Sequence, residues 1–221
     1  MPSTPTTTQR TPPGEETRTA LLAAATVIFI EEGFRAARVQ DIAQRAGVRL
    51  SAINYHFGGK DGLYRAVLQH HAELAVSRTP FPPPDPTHPH AAFEAAVRTL
   101  VRRFLDPASE SRIAALMLRE LVNPTEALGM MIERFTRPQM QQFRPIVAAV
   151  LGPRASEEQV ARAMFSVLSQ CMGYISARPL VERLMPVALA GDDLVERIAA
   201  HITHFSWGGL IALRDALENP T

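Results

Sequence analysis

Apolar residues recur three and four positions apart along most of the chain, and nothing alternates with a period of two over a useful length, which predicts an all-α protein. Leu21, Ala24, Ala25, Ile28 and Phe29 form the packed stripe of a first helix over 15–32. Two short helical patterns follow and meet at Gly47, a residue suited to the left-handed turn that a Cβ resists. Val39, Ile42 and Ala43 face inward from the first pattern, and Ile53 and Phe57, four apart, share an inward face of the second. At about 100° per residue, Ser51 and Tyr55 point nearly opposite to Ile53, flanked by Asn54 and Ala52. A small, polar and aromatic outward face suits a groove better than a core, so the pair reads as a helix-turn-helix.

A fourth helix is expected over 60–76, ending before Thr79-Pro80-Phe81-Pro82-Pro83-Pro84-Asp85-Pro86. Proline removes donors and clashes with the preceding turn, so this segment reads as a stiff surface loop rather than a docking site for proline-binding partners. From Pro89 onward helices are expected at 90–105, 109–122, 124–135, 137–151, 156–177, 179–185 and 192–217. Pro107, Pro124, Pro138, Pro153, Pro179 and Pro186 punctuate them, often near first-turn positions where proline is tolerated. Residues 1–14, rich in Thr and Pro, are expected to form a disordered arm.

Composition narrows the class. With 221 residues, 46% of them hydrophobic, the chain can bury a substantial core and hold one small and one larger helical domain. A net charge of only +1 excludes a polybasic coat, so nucleic-acid binding has to come from local charge placement. The single cysteine, Cys171, excludes an intramolecular disulfide and fits a reducing compartment. No apolar run approaches a membrane span and the start lacks the apolar stretch of a signal peptide, so a cytoplasmic protein with no membrane partner is expected.

Local chemistry then fits a double-stranded DNA partner. Arg38 precedes the first short helix and Arg49 the second, where free N–H groups already favour phosphate. Gln40, Ser51 and Asn54 can donate to or accept from base edges, whereas Arg38, Arg49, Tyr55, His56 and Lys60 are better suited to fixing register on phosphates. Leu50 and Ala52 complete the expected contact surface. Arg10 and Arg18 could touch the DNA backbone from the beginning of the first helix or remain solvated.

Gly33-Phe34, Val39-x-Asp41-Ile42-Ala43, Ala46-Gly47-Val48, Ile53 and Tyr55-His56-Phe57-x-x-Lys60-x-x-Leu63 resemble the DNA-binding domain of the TetR family of bacterial transcriptional regulators, over residues 17–68. The resemblance implies a homodimer whose helix from about Ala52 enters the major groove. Two departures stand out. Ala37-Arg38 and Arg49 occupy places where Thr or Ser usually caps a helix, a loss of about 1 kcal/mol per cap if nothing replaces it. Asn54 stands where a phosphate-contacting aromatic is common, with Tyr55 beside it.

A second likeness covers residues 90–185. Leu116-Met117-Leu118-Arg119-Glu120-Leu121-x-x-Pro124, Pro138, Val147-x-x-Val150-Leu151-Gly152, Ser169-Gln170-Cys171 and Ala177-Arg178 resemble the effector domain of CecR-like TetR regulators. This implies a repressor responsive to a small molecule. From the residues themselves, Met117, Met130, Met131, Phe135, Met140, Phe143, Met164 and Met172 offer soft apolar walls, and Arg119, Glu120, Asn123, Gln170 and Tyr174 a few polar contacts. The same methionines at helical spacing also serve as ordinary core filler.

Two late stripes also have two readings. Val160, Ala163, Met164, Val167, Leu168, Cys171 and Tyr174, with Leu194, Ile198, Ile202, Phe205 and Leu213, either build a four-helix interface between two copies or face their own core. The resemblance favours the interface. His201 and His204, His70-His71 and His88-x-His90 lack a Cys or carboxylate at zinc spacing, so no metal or other cofactor is expected. No Gly-rich phosphate loop or nucleophile elbow appears, so no enzyme is expected.

The expected organisation is therefore an arm at 1–14, a three-helix DNA-binding domain at 15–62 and a larger helical effector-binding and dimerisation domain at 63–221. The expected function is a repressor that binds a palindromic operator as a homodimer and is released by a small apolar or amphipathic effector. The alternative is a helical ligand-binding or protein-interaction protein without specific DNA binding.

Overall fold

The computed structural model describes residues 13–106 and 111–219, which form helices and turns with no strand among them. Most of the expected arm at 1–14, with Arg10 and also Pro107, lies outside the described residues. The chain divides into two compact units, 1–70 and 71–221, and the division falls inside one helix, α4 (Lys60–Arg78).

The first unit comprises α1 (Pro13–Ala36), α2 (Val39–Arg45), α3 (Ser51–Phe57) and the first half of α4. Regular geometry in α1 breaks at Gly33, close to the expected end. Leu21, Ala25, Phe29, Ile42, Ile53, Leu63, Tyr64 and Val67 are buried together with Leu68. Phe29 meets Tyr64 edge-on at 4.7 Å between ring centroids, and Phe34 lies 4.9 Å from Tyr64. This aromatic trio joins the end of α1 to the start of α4, and such pairs add about 0.5–1.5 kcal/mol beyond their burial.

The turn between α2 and α3 has the form its glycine predicts. Gly47 adopts φ +67° and donates to Gln44 O at 3.1 Å, while Val48 donates to Ala43 O at 3.1 Å. These two bonds are the Schellman pair that satisfies the last carbonyls of a helix. Phe57 is only half-buried, because it ends α3 and shares the rim of the unit with Arg18, whose guanidinium carbon lies 5.6 Å from its ring. Gly62 is fixed by space: a Cβ there would overlap the Phe57 carbonyl oxygen, so only glycine lets α4 start this close to the end of α3.

The second unit contains the end of α4, α5 (Pro89–Leu105), α6 (Ile113–Val122), α7 (Ala127–Met131), α8 (Arg137–Leu151), α9 (Glu157–Ser176), α10 (Arg178–Leu184) and α11 (Leu194–Glu218). α5 is central and packs against α8, α9 and α11. Its inward face, Ala92, Phe93, Ala96, Val97, Leu100 and Val101, belongs to one core with Phe143, Ile146, Val147, Val150 and Leu151 of α8. On the outward face Arg98 and Arg102 reach Glu196 of α11 at 3.0 and 2.6 Å.

The helix expected over 124–135 is split: α7 passes into a π turn, Ile132–Thr136, before α8 begins. Pro138 has no N–H for the carbonyl four residues back, and the wider turn lies immediately before it. α8 runs through Pro145; both Pro145 and Gln141, whose carbonyl would have received the missing N–H, are exposed, so water can serve that carbonyl.

The stripes of α9 and α11 face their own core. Val160, Ala163, Met164, Val167 and Cys171 pack with Ile198 and Ile202 inside the second unit, and Leu168, Tyr174 and Leu194 lean on them. The interface reading of these stripes is thereby corrected, since α5 and α8 already occupy that face. Phe205 and Leu213 differ: both are exposed.

Candidate functional site

α3 has one deeply buried side chain, Ile53, at 1% exposure, and it turns the opposite face outward. Ser51 and Asn54 are exposed, Tyr55 is 84% exposed, and Ala52 and His56 are half-buried. Gln40 of α2 and Leu50, just before α3, are exposed as well. Helical spacing thus places Ser51, Asn54 and Tyr55 on one accessible surface, with the ring of His56 4.9 Å from that of Tyr55.

Arg38 and Arg49 are held by their backbones at the two helix starts. Arg38 O accepts from Ile42 N at 3.2 Å and Arg49 O from Ala52 N at 2.9 Å, while both side chains are exposed. No side chain caps α2 or α3. Among the described residues, no acidic group forms an ion pair with either arginine. Two cations therefore stand unneutralised at the helix starts, an arrangement that favours phosphate.

Lys60 is engaged differently from the other expected contacts. Its ammonium donates to Arg35 O at 3.2 Å and lies 4.8 Å from the centroid of Phe34, tying the end of α1 to the start of α4. An ammonium has three donors, so this bond leaves others for a phosphate. Arg18 lies 3.7 Å from Glu15 as well as near Phe57.

A cavity of about 260 Å³ lies in the second unit among α4, α5, α6, α8 and α9. Met117, Met131 and Phe135 line it, together with Leu100, Phe104, Ile113, Met140 and Met172, and exposed Leu121 and Phe165 stand at its rim. The other expected ligand residues lie elsewhere. Phe143 and Met164 are in the core, and Arg119 and Asn123 are exposed near the end of α6. Glu120 is buried and accepts from Thr125 N at 3.1 Å, closing the turn between α6 and α7. Gln170 and Tyr174 line a second hollow beside Val181, Met185, His201 and Phe205, where Gln170 also donates to Ser206 Oγ at 2.9 Å.

Sequence reasoning missed the polar end of the first cavity. Arg103 of α5 and Gln139 of α8 both line it, with Thr136. Arg103 Nε donates to Thr79 Oγ1 at 3.1 Å, Nη2 to Thr79 O, and Nη1 to Gln139 Oε1 at 2.9 Å, with the Phe81 ring 5.3 Å away. Burial pulls this guanidinium down to about 10, still protonated at neutral pH. The available signal was slight: Arg102 and Arg103 are adjacent, and only the turn of about 100° between them separates an outward arginine from an inward one. Cys171 is fully buried, and burial pushes its thiol up to about 12, which leaves it unreactive.

Among the described residues no three His, Cys, Asp or Glu side chains gather into a metal-sized group, and no helix is long and apolar enough to cross a membrane.

Comparison with known proteins places both units. Residues 21–67 match the family described as bacterial regulatory proteins, tetR family, and residues 89–210 match the C-terminal domain of the HTH-type transcriptional dual regulator CecR. The dual regulator CecR of Shigella flexneri is 26% identical over 172 residues, which cover 73% of this chain and 76% of that protein. The transcriptional activator FasR of Mycolicibacterium smegmatis is 45% identical over 65 residues, 29% of this chain, and the match spans only 30% of FasR. The crystal structure of a TetR-like transcriptional regulator from Rhodococcus sp. RHA1 superposes with a TM-score of 0.59 at 14% identity, covering 91% of this chain and 98% of the other, a likeness of fold.

Proposed function

Because the chain belongs to the TetR family of bacterial regulators and carries a CecR-type C-terminal domain, we propose that it is a ligand-responsive DNA-binding regulator, acting in the bacterial cytoplasm as a homodimeric repressor. It works by binding rather than catalysis. The observation that carries this reading is the exposed Ser51, Asn54 and Tyr55 face of α3, bracketed by Arg38 and Arg49 at the starts of α2 and α3. In a major groove, Ser51, Asn54 and Gln40 contact base edges, and the arginines, Tyr55, His56 and Lys60 fix register on phosphates, with Leu50 and Ala52 against the groove wall.

The dimer uses the outer faces of α9 and α11. Phe165 and Phe205 are 72% and 69% exposed, Leu213 is exposed too, and small residues lie between them: Ala161 and Ser169 on α9, Gly208, Gly209 and Ala212 on α11. An exposed apolar patch of this kind marks an association surface. Two-fold pairing through it suits a palindromic operator whose half-sites lie about 34–36 Å apart. An apolar or amphipathic effector in the α5–α8 cavity then releases DNA by its higher affinity for a state with wrongly spaced heads.

A mobility-shift titration on the DNA upstream of the chain's own gene tests this. A shift that weakens steeply with salt supports it. Absence of a salt-sensitive shift on any promoter fragment contradicts it.

A further inference from the structure

The polar end of the α5–α8 cavity offers donors and a positive charge, with no acid among the described residues to balance them. Arg103 has five N–H donors, of which three are bonded to Thr79 and Gln139; one on Nη1 and one on Nη2 remain. Its partners among the described residues are all neutral: a hydroxyl, a backbone carbonyl, a side-chain amide and the Phe81 ring. Gln139 must present its oxygen to Arg103, because a guanidinium accepts nothing, and this turns its NH₂ away with two donors of its own. Thr136 adds a hydroxyl to the same lining, which contains no Asp, Glu, Lys or His among the described residues. Everything else around the space is methionine, leucine, isoleucine, alanine, valine, phenylalanine or Ser169.

A partly buried cation with neutral partners is costly to keep dry, and an incoming anion offsets that cost where a neutral ligand does not. We infer that the effector is an apolar monocarboxylate, whose carboxylate bridges Arg103 and Gln139 and whose hydrocarbon body lies among Met117, Met131, Phe135 and Met140. Methionine walls adapt to more than one body shape, so the charge rather than the outline carries the selectivity. The same arginine holds Thr79, whose N–H and hydroxyl both bond Ala75 O at the last turn of α4. An anion that draws the guanidinium toward Gln139 therefore competes with the grip on the end of α4.

This rests on the second unit being an effector domain, and its test contains no DNA, so it can fail or succeed independently of operator binding. Calorimetric titration of the full chain at pH 7 compares octanoate, decanoate and dodecanoate with the 1-alcohols and methyl esters of matching length, all below their micelle concentrations. At least one carboxylate is expected to bind about tenfold tighter than its alcohol and ester. Arg103→Met should narrow that preference to within about threefold while leaving alcohol affinity near the wild-type value. If Arg103→Met does not fold, Gln139→Leu serves instead and should weaken the carboxylate more than the alcohol. Equal or tighter binding of the alcohols, or no carboxylate binding at any length, overturns the assignment.

Discussion

α3 and α9 are both amphipathic helices, yet they are held in place by different means. α9 has 20 residues and a complete capping box, with Gln159 N bonded to Ser156 Oγ at 3.2 Å and Ser156 N to Gln159 Oε1 at 2.8 Å, and it buries five side chains. α3 has seven residues, no side-chain cap and one buried residue, Ile53. A helix that short does not persist alone in water, so α3 exists because Ile53 is anchored and because Gly62 lets α4 close against its end. The difference separates two tasks. α9 carries its own stability in its sequence, whereas α3 takes stability from its surroundings and leaves its outer face free for recognition.

The largest effect should come from removing the anchor. Ile53→Ala is expected to cost the first unit about 3 kcal/mol, measured by urea unfolding, with hydrogen exchange in α5, α8 and α9 unchanged. Gly62→Ala should follow at about 2 kcal/mol, because the new methyl group meets a backbone carbonyl that cannot move without displacing α3. Ser156→Ala should cost the second unit about 1 kcal/mol, visible as a lower thermal midpoint.

Arg38→Ser sharpens the contrast, because its two effects have opposite signs. Arg38 already has the extended backbone of an N-cap, at φ −103° and ψ 134°, without a side chain able to cap. Serine there is expected to stabilise the first unit by about 0.5–1 kcal/mol and to weaken DNA binding, with the salt slope reduced by about one. Chemical denaturation and mobility shifts on the same protein check both halves.

Much of this was legible in the chain. The helix-turn-helix, the left-handed turn at Gly47 and the inward position of Ile53 follow from period and glycine placement, and the structure has all three. Helix ends in the second unit mostly fall within a residue or two of those expected, because prolines mark them. What stayed hidden depends on through-space neighbours. A stripe at helical spacing says that a face is covered but not whether the cover is its own chain or a copy, and the buried stripes of α9 and α11 are covered by their own chain while Phe205 and Leu213 stay exposed. The need for glycine at 62, the bond from Lys60 to Arg35 O and the inward turn of Arg103 each join residues far apart in sequence or set by a packing angle.

In the proposed mode of binding, the outer face of α3 reads bases while the arginines at the helix starts hold phosphates. Selection of bound fragments from genomic DNA, repeated for the wild type, Arg49→Gln and Ser51→Ala with affinity measured across a salt series, tests it most directly. Arg49→Gln is expected to keep the selected sequence and lower the salt slope by about one, and Ser51→Ala to change the selected sequence while keeping the slope. An unchanged slope for Arg49→Gln together with an unchanged sequence for Ser51→Ala would contradict it.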